Sequence, residues 1–126
     1  MVNLGDTFLN LNPGSPQHLW VVASNRTEDH RYVIFNLTTK RPGCDLSCEV
    51  QTGEHPFVTR DSVVAYERGQ LVAITTIRRM QDLGFYQAME PVSLHLLRRI
   101  QEGALISEHT LNKLRDLIRL SLRRHS

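Results

Sequence analysis

The sequence is poor in cysteine, in aromatic residues and in long apolar runs. Its 126 residues include two cysteines, Cys44 and Cys48, and 6% aromatic residues. Two cysteines are too few for the disulfide framework of a small secreted scaffold. No apolar run approaches the roughly 18–20 residues of a membrane-spanning helix, and Met1–Asn12 lacks the basic and apolar segments of a secretory signal. These absences predict a cytoplasmic protein that does not enter the membrane.

The rest of the composition is that of an ordinary globular protein. Hydrophobic residues make up 40% of the chain and charged residues 22%, which argues against disorder. A chain of this length typically folds as one domain, so we expect residues 1–126 to form a single domain.

Basic residues are concentrated towards the C-terminus. Residues 1–76 carry six basic and eight acidic side chains, whereas residues 77–126 carry nine basic and five acidic side chains. Thirteen of the fifteen basic residues are arginine, whose planar guanidinium suits phosphate recognition. Codon usage in a GC-rich genome also favours arginine, so the charge permits nucleic-acid contact without demonstrating it.

The first half of the chain has the pattern of short β-strands separated by turns. Asn12-Pro13-Gly14 is strong turn chemistry, because proline restricts φ and glycine tolerates positive φ. Residues Gln70–Ile77 fit a strand or a helix equally well. The other predicted strands are Thr7–Leu11, His18–Ala23, Tyr32–Leu37, Ser62–Tyr66 and a weaker one at Ser47–Gln51. They predict a small antiparallel barrel or curled sheet over about residues 4–77.

The second half has helical periodicity, which makes the predicted fold class α+β with two C-terminal helices over about residues 90–124. Pro91 suits the first position of a helix that ends near Gly103. Ser107 is a plausible N-cap for a second helix that ends near Arg123. That helix carries an apolar stripe, which predicts a face packed on the sheet: Leu111, Leu114, Leu117, Ile118 and Leu122.

Candidate chemical groups are scattered along the strand region. Cys44 and Cys48, with His55 seven residues later, are too few for a structural zinc site, so we expect two free thiols, no metal and no cofactor. His18 and His55 each adjoin a turn at a strand end, where histidine is suited to exchange protons near neutral pH. Both histidines also fit a purely structural role.

Hydroxyl groups and cations follow the third predicted strand. Thr38 and Thr39 run directly into Lys40 and Arg41, a combination that can bind a phosphate or simply solvate a turn. Trp20 offers either a stacking surface for a nucleobase or a core side chain.

The order of these features resembles the MazF/PemK (Kid, CcdB-like) toxin family. The resemblance covers roughly residues 4–75 and rests on Gly5-Asp6, on the Asn-Pro-Gly loop and on the second strand from His18 to Ser24. Thr38-Thr39 at the end of the third strand and the later Ser62-Val63-Val64 fit the same plan.

Membership would imply an SH3-like β-barrel, a homodimer and a cognate antitoxin as partner. It would also imply metal-independent cleavage of single-stranded RNA. The family's arginine before the second strand is His18 here, and its threonine or serine after the third strand corresponds to Thr38 or Thr39. The family's arginine-rich segment is replaced by Tyr66–Gln70, in which Arg68 is the remaining cation.

Metal-independent RNA cleavage uses the 2′-hydroxyl as nucleophile, so the protein must supply a base, an acid and a cation. The candidate catalytic residues are therefore His18 and His55, to which the resemblance adds Thr39. The candidate substrate-binding residues are Lys40, Arg41 and Arg68 as cations, and Thr38 from the resemblance. The alternative prediction is a non-catalytic barrel that binds a protein or a nucleic acid.

Overall fold

The computed structural model describes residues 2–14 and 16–124. The strands are β1 (Thr7–Asn10), β2 (Leu19–Val22), β3 (Arg31–Thr39), β4 (Glu49–Val50), β5 (Ser62–Ala73) and β6 (Tyr86–Met89). The helices are α1 (Ile74–Asp82), α2 (Leu94–Ile106) and α3 (Asn112–Arg124). No helix in the described ranges is long and apolar enough to cross a membrane.

The strands form one antiparallel sheet in the order β4-β5-β3-β2-β1-β6, curled into a half-barrel. Its longest ladder joins β3 to β5, from the Arg31–Ala73 pair to the Thr39–Ser62 pair. A register shift between Ile34 and Asn36 leaves extra residues on β5. Such a bulge bends the strand and increases its twist, which contributes to the curl of the sheet.

The two faces of the sheet bury separate apolar clusters, because alternate side chains of a strand point to opposite faces. On β3, Val33 and Phe35 lie in the inner core, which includes Ile100 of α2 and Leu114 and Ile118 of α3. Tyr32 and Ile34 lie on the outer face with Ile74 and Ile77 of α1. Helices therefore cover both faces of the sheet.

The predicted α+β class and the antiparallel sheet are confirmed. The ambiguous segment Gln70–Ile77 contains both elements, since β5 ends at Ala73 and α1 begins at Ile74. Two elements were not predicted: α1 as a separate helix, and β6 at Tyr86–Met89. The β6 sequence has little apolar alternation, and it forms a strand by pairing with β1 at the edge of the sheet.

The predicted helix boundaries at Pro91, Gly103 and Ser107 are wrong. Helix α2 begins after Ser93, whose hydroxyl accepts a hydrogen bond from the backbone N–H of Leu96 at 3.0 Å. This capping bond satisfies an N–H group in the first turn of α2, where no carbonyl of the helix is in position to accept it. The helix continues through the buried Gly103 and ends at Ile106, so that Ser107 follows α2 and does not cap α3.

Candidate functional site

A cleft of about 360 Å³ opens where the chain enters β2 and leaves β3. We call it the His18 cleft. Its polar wall consists of Gln17, His18, Thr38, Thr39, Thr59, Arg60 and Ser62, and its apolar wall of Leu19, Leu37, Pro56, Phe57 and Val58. The structure thus brings His18, Thr38 and Thr39 together in one cleft, whereas His55, the predicted acid–base partner of His18, does not line it.

Sheet pairing explains why these residues meet. Strands β2 and β3 are neighbours, so the residue before Leu19 lies beside the end of β3. On the other side, Thr39 pairs directly with Ser62 at the start of β5. The loop that precedes Ser62 consequently reaches the same end of the sheet and brings Arg60 into the cleft.

His18 has one ring nitrogen held by the protein. Its Nδ1 atom lies 3.1 Å from the carbonyl oxygen of Leu37. A carbonyl only accepts hydrogen bonds, so Nδ1 carries a proton in this contact. In the neutral ring Nε2 then bears the lone pair, and no protein group in the described residues is bonded to it. This arrangement leaves an oriented proton acceptor on a half-buried side chain.

His55 occupies a different environment from His18. It is 3% exposed and does not line the cleft. Its Nε2 atom donates to the carbonyl oxygen of Glu90 at 2.6 Å, while Nδ1 accepts from the backbone N–H of Phe57 at 3.0 Å. Both ring nitrogens are therefore engaged with backbone groups. The geometry gives His55 a structural role, and it offers no free nitrogen for proton transfer.

The loop around His55 is fixed by charged and polar contacts. Arg99 of α2 pairs with Glu54, and its guanidinium also donates to the carbonyl oxygen of Glu49 at 2.5 Å. Hydrogen bonding to Arg99 lowers the pKa of the Glu54 carboxyl. The backbone and hydroxyl of Thr52 both donate to Asp61, at 3.1 and 3.2 Å. These bonds hold in place the loop that carries Arg60.

The predicted cations differ in their availability. Lys40 is paired with Glu49 at 2.5 Å, and this contact raises the pKa of the lysine. Arg41 and Arg60 are exposed, and within residues 2–14 and 16–124 their guanidinium groups make no ion pair. Arg68 lies six positions after Ser62 on β5, roughly 20 Å along an extended strand, and lines neither this cleft nor its neighbour.

A second cavity adjoins the His18 cleft. We call it the Arg41 cavity; its volume is about 590 Å³. Thr39 and Arg60 line both spaces, so they form a shared wall. The other lining residues are Lys40, Arg41, Pro42, Gly43, Cys44, Leu46 and Asp61. Two of the predicted substrate-binding residues, Lys40 and Arg41, therefore lie beside the cleft and not inside it.

Neither cysteine lines the His18 cleft, although Cys44 lines the adjoining Arg41 cavity. Both thiols are free, and burial raises the pKa of Cys48 to about 11, which keeps it protonated at neutral pH. Among the described residues, no group of three histidine, cysteine, aspartate or glutamate side chains is arranged to hold a metal ion.

Trp20 also lies away from the cleft. It is half-buried and packs on the outer apolar cluster of the sheet. Of the two alternatives for this residue, the packing favours a core side chain over a stacking surface.

Arg60 is the site residue that the sequence did not reveal. It stands two positions before Ser62, and Ser62 faces Thr39 only because of the β3–β5 register. That register is a long-range property which no local pattern around Arg60 encodes. Comparison with known proteins adds no further assignment, since neither a family model nor a curated protein sequence matches the chain.

Proposed function

We propose that the chain is a toxin-like endoribonuclease of a type II toxin–antitoxin system, which cleaves single-stranded RNA at the His18 cleft without a metal ion. The proposal includes an SH3-like barrel of the MazF/PemK kind, a homodimer and a cognate antitoxin. The observation that carries it is the meeting of His18, two threonine hydroxyls and Arg60 in one cleft.

In this proposal His18 is the general base. With Nδ1 bonded to Leu37, the Nε2 atom takes the proton from the 2′-hydroxyl of the RNA. The 2′ oxygen then bonds to phosphorus, and the bond between phosphorus and the 5′ oxygen breaks. The departing 5′ oxygen takes a proton from water, which replaces the protein acid that the sequence offered in His55. The products are a 2′,3′-cyclic phosphate and a free 5′-hydroxyl.

Charge on the phosphorus-centred transition state requires a cation and hydrogen-bond donors. Arg60 supplies the positive charge, because its guanidinium has no carboxylate partner in the described part of the chain. The hydroxyls of Thr38 and Thr39 serve as donors to the non-bridging oxygens. Arg60 thus takes the place of the cation that the family resemblance would put at position 18.

His55 is not part of the proposed chemistry, although the sequence offers it as the second half of an acid–base pair. Its two nitrogens already bond to Glu90 and Phe57. Releasing either nitrogen for proton transfer would break a hydrogen bond to the backbone, at a cost of about 0.5–1.5 kcal/mol. We therefore assign His55 to the framework of the loop.

The test is cleavage of a panel of single-stranded RNAs by purified protein in the presence of a chelator. His18→Ala should lower the cleavage rate by about 10²–10⁴-fold, the usual contribution of a general base. His95→Ala is the matched control, because His95 is exposed on α2 and lies outside the cleft. Circular dichroism must show that both variants fold. Failure of the folded wild-type protein to cleave any RNA would favour the non-catalytic binding module.

A further inference from the structure

The His18 cleft and the Arg41 cavity lie side by side, and Thr39 and Arg60 line both. A chain-like ligand seated in the cleft therefore has the cavity next to it, on the other side of these two residues. A compact ligand would occupy only one of the two spaces.

The Arg41 cavity has an excess of positive charge, because Lys40, Arg41 and Arg60 line it together with one carboxylate, that of Asp61. Lys40 is neutralised by Glu49, and Asp61 accepts two hydrogen bonds from Thr52. Arg41 and Arg60 carry no such partner among residues 2–14 and 16–124. A guanidinium left open in this way is suited to bind a phosphate through two parallel hydrogen bonds.

An apolar wall lies next to these arginines. Leu46 is 56% exposed and lines the Arg41 cavity together with Pro42. Apolar surface beside guanidinium groups matches the alternation of nucleobase and phosphate along a single strand. A free inorganic anion would use the arginines but not this wall.

We propose that the Arg41 cavity is a second subsite, which binds the nucleotide next to the scissile phosphate, with Arg60 between the two subsites and Arg41 on the flanking phosphate. This inference rests on the proposed function for the identity of the ligand as RNA. In this assignment Arg41 contributes to binding only when the RNA is long enough to reach the Arg41 cavity. Arg60 contributes to the binding of every substrate, because it lines both spaces.

Binding is measured first, with a single-stranded 2′-O-methyl RNA that cannot supply the nucleophile. Arg41→Gln and Arg60→Gln should each weaken its binding by about 10–100-fold, as expected for the loss of a charge-assisted hydrogen bond. The binding constant of a single strand falls as the salt concentration rises. Each lost phosphate contact should make the slope of log K against log salt less steep by about 0.7. Arg78→Gln, on the exposed face of α1 and outside both spaces, is the matched control and should leave the slope unchanged.

Cleavage is measured next, on a short RNA and on the same RNA extended by one nucleotide at either end. Extension at one end should raise kcat/KM of the wild-type protein by about 10-fold or more, and Arg41→Gln should abolish this gain. In Arg60→Gln both substrates should be cleaved more slowly. Inorganic phosphate should compete weakly, because it does not contact the apolar wall.

The two proposals fail in different ways. If the protein cleaves RNA but Arg41→Gln changes neither the binding nor the gain from extension, the second subsite is wrong and the ribonuclease stands. If the wild-type protein cleaves no RNA and 2′-O-methyl RNA binding still depends on Arg41 and Arg60, the subsite stands and the ribonuclease is wrong. Equal salt slopes for wild type, Arg41→Gln and Arg60→Gln would overturn the assignment of both arginines.

Discussion

The Nε2 atom of His55 lies 2.6 Å from the carbonyl oxygen of Glu90, which follows β6. The hydroxyl of Thr7 in β1 donates to the same oxygen, also at 2.6 Å. This carbonyl oxygen therefore links three parts of the chain. They are β1, the segment between β6 and α2, and the loop that forms part of the apolar wall of the His18 cleft. The contact spans 35 positions of the chain, and it explains why the imidazole of His55 is buried in this loop.

Removal of this histidine should affect stability more than chemistry. His55→Ala deletes two hydrogen bonds and leaves a buried space, so we expect a loss of about 2–4 kcal/mol in the free energy of unfolding. Urea denaturation measures the loss. At a temperature where the variant is folded, its cleavage rate per folded molecule should stay within about threefold of the wild-type rate, whereas a catalytic His55 would give a loss of at least about 100-fold.

The pair formed by Glu54 and Arg99 should make stability depend on pH in the acid range. Arg99 holds the pKa of Glu54 below its ordinary value of 4.5 in the folded protein. The contribution of this carboxyl is therefore complete above the unfolded pKa and is lost as the pH falls through the folded pKa. At pH 7, Glu54→Gln should cost about 1–2 kcal/mol, the range for a partly exposed pair with charged hydrogen bonds.

The measurement is urea denaturation of wild type and Glu54→Gln across the acid range. The difference between the two proteins should shrink below pH 4.5 and disappear once the folded carboxyl is protonated. Glu67→Gln, an exposed position on β5, is the control and should differ little from wild type at any pH. A constant difference between Glu54→Gln and wild type would mean that the loss is one of packing and not of charge.

Much of the sheet could be predicted from local sequence. The segments Thr7–Leu11, His18–Ala23 and Tyr32–Leu37 coincide with β1, β2 and β3 to within two residues at each end. They are recognisable because their β-branched, aromatic and leucine residues are bounded by turns. Strand β6 could not be found this way, since its stability comes from pairing with β1, and a long-range pairing leaves no local pattern.

The candidate site shows the same division between local and long-range information. His18, Thr38 and Thr39 were identifiable because they stand at strand ends next to turn residues. His55 has the same local signature, but its environment depends on Glu90, which is distant in sequence. Arg60 has no local signature and enters the cleft only through the β3–β5 register. Sequence therefore identified candidate residues, whereas their division into site and framework required the fold.

The apolar stripe of α3 divides into a buried and an exposed part. Leu114 and Ile118 are fully buried in the inner core, whereas Leu111, which precedes the first residue of the helix, is more than half exposed. Leu120 of α3 lies outside the predicted stripe and is also more than half exposed. Leu114→Ala or Ile118→Ala should therefore cost about 2–5 kcal/mol in the free energy of unfolding. Leu120→Ala, on the same helix, should change it by less than about 0.5 kcal/mol. Chemical denaturation separates these outcomes, and a small loss at position 114 would show that α3 does not pack on the sheet.

Gly103 should tolerate no side chain, although it lies inside a helix where alanine is normally favoured. A Cβ atom at this position would overlap the Tyr66 hydroxyl oxygen and lie 2.9 Å from the Cβ atom of Cys48. That hydroxyl donates to the carbonyl oxygen of Ile100 at 2.7 Å, so it cannot move without losing a buried hydrogen bond. Gly103→Ala should therefore destabilise the protein by about 1–3 kcal/mol, although helix propensity alone would predict a gain of about 1 kcal/mol.

Glu102→Ala, on the exposed side of the same helix, is the control and should be neutral or slightly stabilising. Thermal denaturation measures the melting temperature of both variants. A Gly103→Ala protein that melts at a higher temperature than wild type would mean that α2 does not approach Tyr66 this closely.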